Sequence, residues 1–445
     1  MSLRWRTSSP PTANSASPIS SSATSRRTRP WPWRPSSDWR GCGKHSREAF
    51  EPGRAMVRPV IETLEQNGIT KVAFQRLDDP AVIPLWFGEG DVVTPAFIRE
   101  AAKRALDDGQ TFYTHTRGIP ALRDAIKRYL DGLYGLDIDP DRISVPGSAM
   151  MGVTIAAQMA VNRGDRGLIV SPHWPNIEIT YRVTGAEVDI VRQRDTESGW
   201  ELTVSEIVDA VRPDTRSIFV NSPCNPTGWV MRRDAQEELL AFCRDRDILL
   251  IADEVYHRTC FDGEHAPSFL QVARDDDPLV VVNGFSKAWA MTGWRVGWVV
   301  APPRLRTAWT ALSECFNTGA TVFAQYGGIA ALEGGEETVA ALREQYRGGR
   351  AIVDRYLSGH PLIDLRMPEG AFYAFPKVPG LSDSLAFVEG VLAEEDVGLA
   401  PGYAFGPHNE AHFRLCFAQS HERLEEGLKR VVRYVERHAN ELDRF

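Results

Sequence analysis

"LVVVNGFSKAWAMTGWRVGWVVAP", residues 279–302, sets a single lysine, Lys287, and an arginine eight residues later, Arg295, between two short valine-rich runs. Runs of this length and composition, broken by Gly284 and Gly297, predict two buried strands with a turn of chemistry-bearing residues between them. Lys287 has aromatic company in sequence: Phe285, Trp289 and Trp294. Taken alone, it reads most simply as a helix lysine that carries its ammonium out to water along an apolar surface. The other reading is chemical, because an amine held in apolar surroundings near a second cation is neutral part of the time and can attack a carbonyl.

Working outward, "RISVPG", "GLIVSP", "SIFVNSP" and "ILLIADEVY" repeat the short β-branched pattern, with charged amphipathic stretches between several of them. Alternation of this kind predicts an α/β fold, with a mostly parallel sheet covered by helices. From "RLRTAWTALSECFN" the pattern turns helical, and "LREQYRGGRAIVDRYLSGH" predicts a long surface helix leading into a smaller α+β unit. The expected organisation is an N-terminal segment over residues 56–95, a large domain over 96–335 and a small C-terminal domain over 336–445. There is no internal repeat.

Residues 1–55 differ from the rest. They are rich in Ser, Pro and Arg, and hold ten Lys/Arg against three acids. Such a segment has too little apolar periodicity to offset its ordering entropy. It resembles a transit peptide in composition, but "RPWPWRP" breaks the amphipathic helix such peptides need. The preferred expectation is a disordered tail, or translated sequence upstream of a start at Met56.

The formal net charge of -8 offers no sustained basic field to phosphates, which argues against nucleic-acid binding. The six cysteines are scattered without a C-x-x-C pair, so a reducing cytoplasm is the expected location and no metal site is expected. No apolar run reaches the roughly 18 to 20 residues that span a bilayer, so no membrane association is expected.

In open α/β sheets ligands sit beyond the carboxyl ends of the strands. Four of the predicted strands end in polar residues there: Gly147 and Ser148, Asn225 of "NPTG", Asp253 and Tyr256 of "ADEVY", and Ser286 with Lys287. Each has a plain structural reading as a turn, a cap or a core phenol. Together they describe a cofactor. The lysine suits an aldehyde, the aspartate a protonated pyridine nitrogen, the phenol and amide a ring hydroxyl, and backbone N–H groups with an arginine suit a phosphate. Pyridoxal 5'-phosphate has all four groups.

Across residues 57–440 the chain resembles the class I/II aminotransferases of the aspartate-aminotransferase fold, the fold type I arrangement. "SK" followed by "GWRVG" resembles the family's cofactor signature, and "NPTG" and "ADEVY" follow in the family's order. "SPHWPN" resembles the segment whose aromatic ring, here Trp174, stacks on the pyridine. "FYTHTRGIPALRDAI" resembles the segment whose tyrosine, here Tyr113, reaches the cofactor phosphate of the partner subunit. "LWFGEGDVVTP", "PEGAFYAF" and "FRLCFA" resemble the segments around the substrate.

The resemblance implies a homodimer with shared sites that moves the amino group of an L-amino acid to a 2-oxo acid, with 2-oxoglutarate as the expected acceptor, by a ping-pong mechanism. It implies Lys287, Asp253 and Tyr256 as catalytic residues. Gly147, Ser148, Ala149, Trp174, Asn225, Ser286 and Arg295 would join them around the cofactor, and Gly88, Asn225 and Arg414 would meet the substrate. A lyase or synthase on the same fold is the alternative. A transcription regulator would need an N-terminal helix-turn-helix, for which residues 1–55 show no helices.

Two departures from the family pattern stand out. Gly284 occupies a position where many relatives carry a phosphate-binding serine, which leaves that contact absent or supplied by Ser148. Ala149, Met150 and Met151 stand where relatives specialised for aspartate carry a lysine, and "ECFNTGATVFAQ" has no arginine for a side-chain carboxylate. Arg117 could serve, but it reads more simply as an exposed loop arginine.

Overall fold

The computed structural model describes residues 56–440, so the expectations for residues 1–55 lie outside the described residues. Residues 57–440 belong to one compact unit built around a seven-stranded sheet. Its strands are β1 (Ile143–Gly147), β2 (Arg166–Ser171), β3 (Glu187–Arg192), β4 (Thr215–Asn221), β5 (Leu249–Asp253), β6 (Leu279–Gly284) and β7 (Gly297–Val300). The order across the sheet is β1-β7-β6-β5-β4-β2-β3. All neighbours are parallel except β7, which runs antiparallel to both β1 and β6.

The middles of β4, β5 and β6 are runs of Val, Ile, Leu and Phe because their side chains are buried on both faces of the sheet. β3 was not among the strands legible as β-branched runs. It lies at the sheet edge, with Glu187 and Arg192 exposed at its ends and Asp189 between, so charge interrupts its apolar pattern along its length.

Helix α1 (Ala149–Ala160) follows β1 directly, and the Ser148 hydroxyl caps it by accepting from Met151 N–H at 3.2 Å. A row of glycines lets its first turn approach the sheet: Gly147, Gly297 and Gly284 are cross-strand partners on β1, β7 and β6. A Cβ on Gly297 would stand 2.6 Å from the Ala149 nitrogen. Helix α2 (Asn176–Thr184) follows β2, and the short helix α3 (Phe285–Ala288) carries Lys287 off the end of β6.

A second apolar core gathers residues from both ends of the described chain. Ile69, Leu85 and Trp86 pack there with Phe372, Phe387, Phe413 and Val431, and all are buried. Strand β8 (Tyr373–Ala374) pairs with β10 (Phe413–Cys416), which pairs with β9 (Ala400–Pro401), all antiparallel. The long helix predicted after residue 335 is α4 (Glu336–Leu357); it buries Leu342, Tyr346, Ile352 and Val353 while its charged side faces water. No described helix is long and apolar enough to cross a membrane.

Candidate active site

The carboxyl ends of β4, β5 and β6 open into a cavity of about 310 Å³. Its lining brings together Gly88, Ala149, Trp174, Asn225, Asp253, Tyr256, Ser286, Lys287, Arg295 and Arg414, drawn from segments more than 300 residues apart. Gly147 and Ser148 are not on the cavity wall. The Ser148 hydroxyl accepts from Met151 N–H as the α1 cap, which leaves its own O–H free to donate. Tyr113 is 92% exposed and lines a separate surface groove with Asn317 and Phe323.

Lys287 enters the cavity from α3 and donates from Nζ to the Gly88 carbonyl at 2.7 Å. Burial, with help from Arg414 and Arg295, lowers its ammonium to about 8. The aromatic setting is not the one its sequence neighbours suggested. Phe285 and Trp289 are fully buried on the far side of α3, packed with Trp298 and Tyr129, and Trp294 donates to Thr94 Oγ1. The rings facing the amine are Tyr256 and Phe372, at 5.7 and 6.0 Å. Residues two positions apart on a helix do not share a face.

Asp253 ends β5. Burial raises its carboxyl to about 6, against the opposing pull of the Val255 N–H and of Lys287. Asn221, its partner across the β4–β5 ladder, donates from Nδ2 to the Asp253 carbonyl at 2.9 Å and accepts from Asn225 N–H at 2.8 Å. This fixes the approach of the "NPTG" turn to the aspartate. A buried carboxylate with no cationic side chain bonded to it favours a cationic N–H donor.

Arg414, buried on β10, donates to Asn225 Oδ1 at 3.1 Å and to the Trp86 carbonyl, and its Nε has no protein partner. Its guanidinium also stacks over Tyr373 and Phe405 at 4.6 and 4.9 Å. Among the described residues no carboxylate pairs with it, nor with Arg295, whose guanidinium donates only to the Thr292 carbonyl at 2.8 Å. Two arginines on one cavity without acidic partners make two anion sites.

Arg117 is not the exposed loop arginine its sequence suggested. It is 1% exposed and bound to Asp141 and to that residue's carbonyl, away from the cavity. Sequence reasoning also missed Asn221 and Tyr373. Tyr373 lies within the quoted "PEGAFYAF", but nothing local marks its phenol as the one that meets Tyr256, 117 residues earlier. No cluster of His, Cys, Asp and Glu suited to a metal ion occurs among the described residues.

Comparison with known proteins places these features in a family. The family described as "Aminotransferase class I and II" matches residues 82–431. An aspartate aminotransferase of Pyrococcus horikoshii is 34% identical over 359 residues, covering 80% of this chain and 91% of that protein. The structure of an aspartate aminotransferase from Thermus thermophilus with maleate superposes with a TM-score of 0.79 at 30% identity, covering 85% of this chain and 99% of the other. An alanine aminotransferase from Pyrococcus furiosus gives 0.79 at 28% identity, over 86% of this chain and 100% of the other.

Proposed function

The chain belongs to the class I and II aminotransferases, a family of pyridoxal-phosphate-dependent transaminases, and on that premise we propose that Lys287, Asp253, Arg295 and Arg414 carry a ping-pong transfer between an L-amino acid and a 2-oxo acid. The observation that carries this reading is the convergence of those four side chains on one cavity with charges that complement cofactor and substrate. 2-Oxoglutarate is the first acceptor to test.

The residues fit the cofactor. The buried carboxyl of Asp253 calls for a cationic N–H, which a pyridinium offers, and Arg295 has no acid of its own to neutralise it. When bound, pyridoxal phosphate supplies an aldehyde that combines with amines and a ring that withdraws electrons from the carbon next to the amine.

The chain's own groups do the rest. Trp174 offers a face for the ring, and the Tyr256 hydroxyl with the Asn225 amide supplies hydrogen bonds to the ring oxygen. Arg295, Ser286 and the backbone N–H of Ala149 at the start of α1 grip the phosphate. Arg414 holds the substrate carboxylate and so fixes the Cα–H bond relative to Lys287. With its ammonium lowered to about 8, Lys287 is neutral often enough near pH 7 to 8 to take the Cα proton and return it one position away. Asp253 keeps the ring nitrogen protonated throughout. Substrate and product use the same cavity in turn, which is the basis of the ping-pong order.

The test is Lys287→Ala. The variant should bind pyridoxal phosphate reversibly, give no borohydride-reducible adduct and lose turnover by several orders of magnitude. A reducible adduct at another lysine would move the assignment. Assays with and without a 2-oxo acid separate transfer from elimination, since only transfer needs the acceptor.

A further inference from the structure

The charges that one chain places on this cavity offer no partner to a second substrate carboxylate. Among the described residues, the cations on its wall are Lys287, Arg295 and Arg414. The proposed reading claims each of them, for amine chemistry, for phosphate and for the α-carboxylate. The part of the wall left for the substrate side chain is formed by Asn67, Ile69, Thr70 and Phe87 from the N-terminal segment and by Asn176 at the start of α2. All are uncharged. The one other arginine in question, Arg117, is tied to Asp141 away from the cavity.

Within this wall the two asparagines touch. Asn67 Nδ2 donates to Asn176 Oδ1 at 3.1 Å, while Asn67 Oδ1 accepts from Ile69 N–H at 2.9 Å and so starts the helix Gly68–Ala73. Thr70 donates its hydroxyl to the Asn67 carbonyl at 2.9 Å. One of the two Asn67 Nδ2 hydrogens and its Oδ1 are thus engaged in structure, whereas Asn176 Nδ2 donates to no protein group among the described residues and offers both of its hydrogens to a ligand.

We propose that this transaminase works on amino acids with uncharged side chains, received by the Ile69, Thr70 and Phe87 surface with Asn176 as the distal hydrogen-bond donor, and that it discriminates against aspartate and glutamate. The proposal rests on the reading of Lys287, Arg295 and Arg414 given above. A distal carboxylate would lose its water and gain at most neutral hydrogen bonds, and an unpaired charge in a cavity is costly. The same limit applies to 2-oxo acids, and here the proposal departs from the acceptor that the family resemblance implies: 2-oxoglutarate should show a higher KM than an acceptor with a neutral side chain such as pyruvate.

The experiment uses the full chain loaded with pyridoxal phosphate and follows the cofactor spectrum in the half-reaction with alanine, valine, leucine, glutamine, phenylalanine, aspartate and glutamate. The best neutral donor should exceed both dicarboxylic donors at least tenfold in kcat/KM. Asn176→Lys, which places a cation on the bare wall, should shift that ratio toward the dicarboxylic donors by tenfold or more, with Asn176→Ala as the control for loss of the amide. A ratio below ten in the wild-type enzyme would overturn the proposal even if the lysine variant does not fold, and a folded lysine variant with an unchanged ratio would overturn the role of Asn176. Failure of every donor to change the spectrum would instead remove the transaminase reading on which the proposal stands.

Discussion

The hydroxyl oxygens of Tyr256 and Tyr373 lie 2.7 Å apart, joining a phenol beyond the end of β5 to one on the small sheet. Both are buried, and burial holds both phenols above their ordinary range. Tyr256→Phe and Tyr373→Phe should each lower kcat/KM about tenfold, and the double variant should lose less than the product of the two, with a coupling of about 1 kcal/mol or more, as expected of residues in contact. Additive losses in the cycle would mean that the hydrogen bond does no work in the reaction.

Gly88 is required by space. A Cβ there would meet Tyr373 Oη at 1.9 Å and Lys287 Nζ at 3.4 Å. Gly88→Ala should therefore displace the Tyr373 phenol, costing about 1 to 3 kcal/mol of stability by overpacking and lowering kcat/KM by more than tenfold. Thermal unfolding and steady-state kinetics together check this, and a variant with wild-type values in both would show that the segment yields freely.

Arg414→Lys keeps the charge and loses the planar fork. The expected outcome is a rise in KM of about 30-fold or more for amino donors, in line with about 2 kcal/mol or more for a charge-assisted contact, while the affinity for pyridoxal phosphate stays near wild type. Equal KM values would place the carboxylate grip elsewhere.

Asp253 makes the pH dependence of stability testable in protein stripped of cofactor. Its carboxyl is raised from 3.8 to about 6 by burial, so between those values the folded chain holds a proton that the unfolded chain has released. The stability this contributes is present below pH 4 and is lost as pH rises through about 6. Asp253→Asn should remove that loss, which is on the order of 3 kcal/mol for a two-unit shift. Urea unfolding at pH 4 and pH 7 measures it. A variant no more stable than wild type at pH 7 would contradict a buried, uncompensated carboxyl.

Tyr113 carries the proposal of a shared site. An aromatic ring 92% exposed on one chain, outside its own cavity, has a purpose if a second copy covers it. Coexpressed Lys287→Ala and Tyr113→Ala chains should regain activity in mixed dimers, because one of the two sites then has both residues intact. Lys287→Ala with Asp253→Ala, both in one chain's cavity, should not. No recovery in the first pair, with mixed dimers shown to form and Tyr113→Ala impaired alone, would refute sharing.

The parts of the site legible in sequence are those fixed locally. Asn225, Tyr256 and Lys287 follow the ends of recognisable strands by a few residues, Asp253 ends one and Arg295 stands just before another, so strand pattern and motif spacing together place them. What escaped depends on direction or on distant partners. Phe285 and Trp289 adjoin Lys287 in sequence yet pack behind it, and the rings that face the amine, Tyr256 and Phe372, come from elsewhere. Arg117 looked exposed because its partner Asp141 lies 24 residues away with no motif to mark it. β3 escaped because Glu187, Asp189 and Arg192 break its apolar run, and the Asn67–Asn176 contact spans 109 residues.

The antiparallel placement of β7 bears on the order in which this site comes together. β6 and β7 pair from Gly284 opposite Gly297, so Lys287 and Arg295 are carried on the short connection between two adjacent strands. Closing that connection costs little chain entropy, and contacts this close in sequence form early in folding. The grip of Arg414 on Asn225 closes a span of 189 residues, and its bond to the Trp86 carbonyl one of 328. A growing chain can thus bring Lys287 and Arg295 close once the local hairpin pairs, whereas Arg414 waits for β10 to be made before it can find both of its partners.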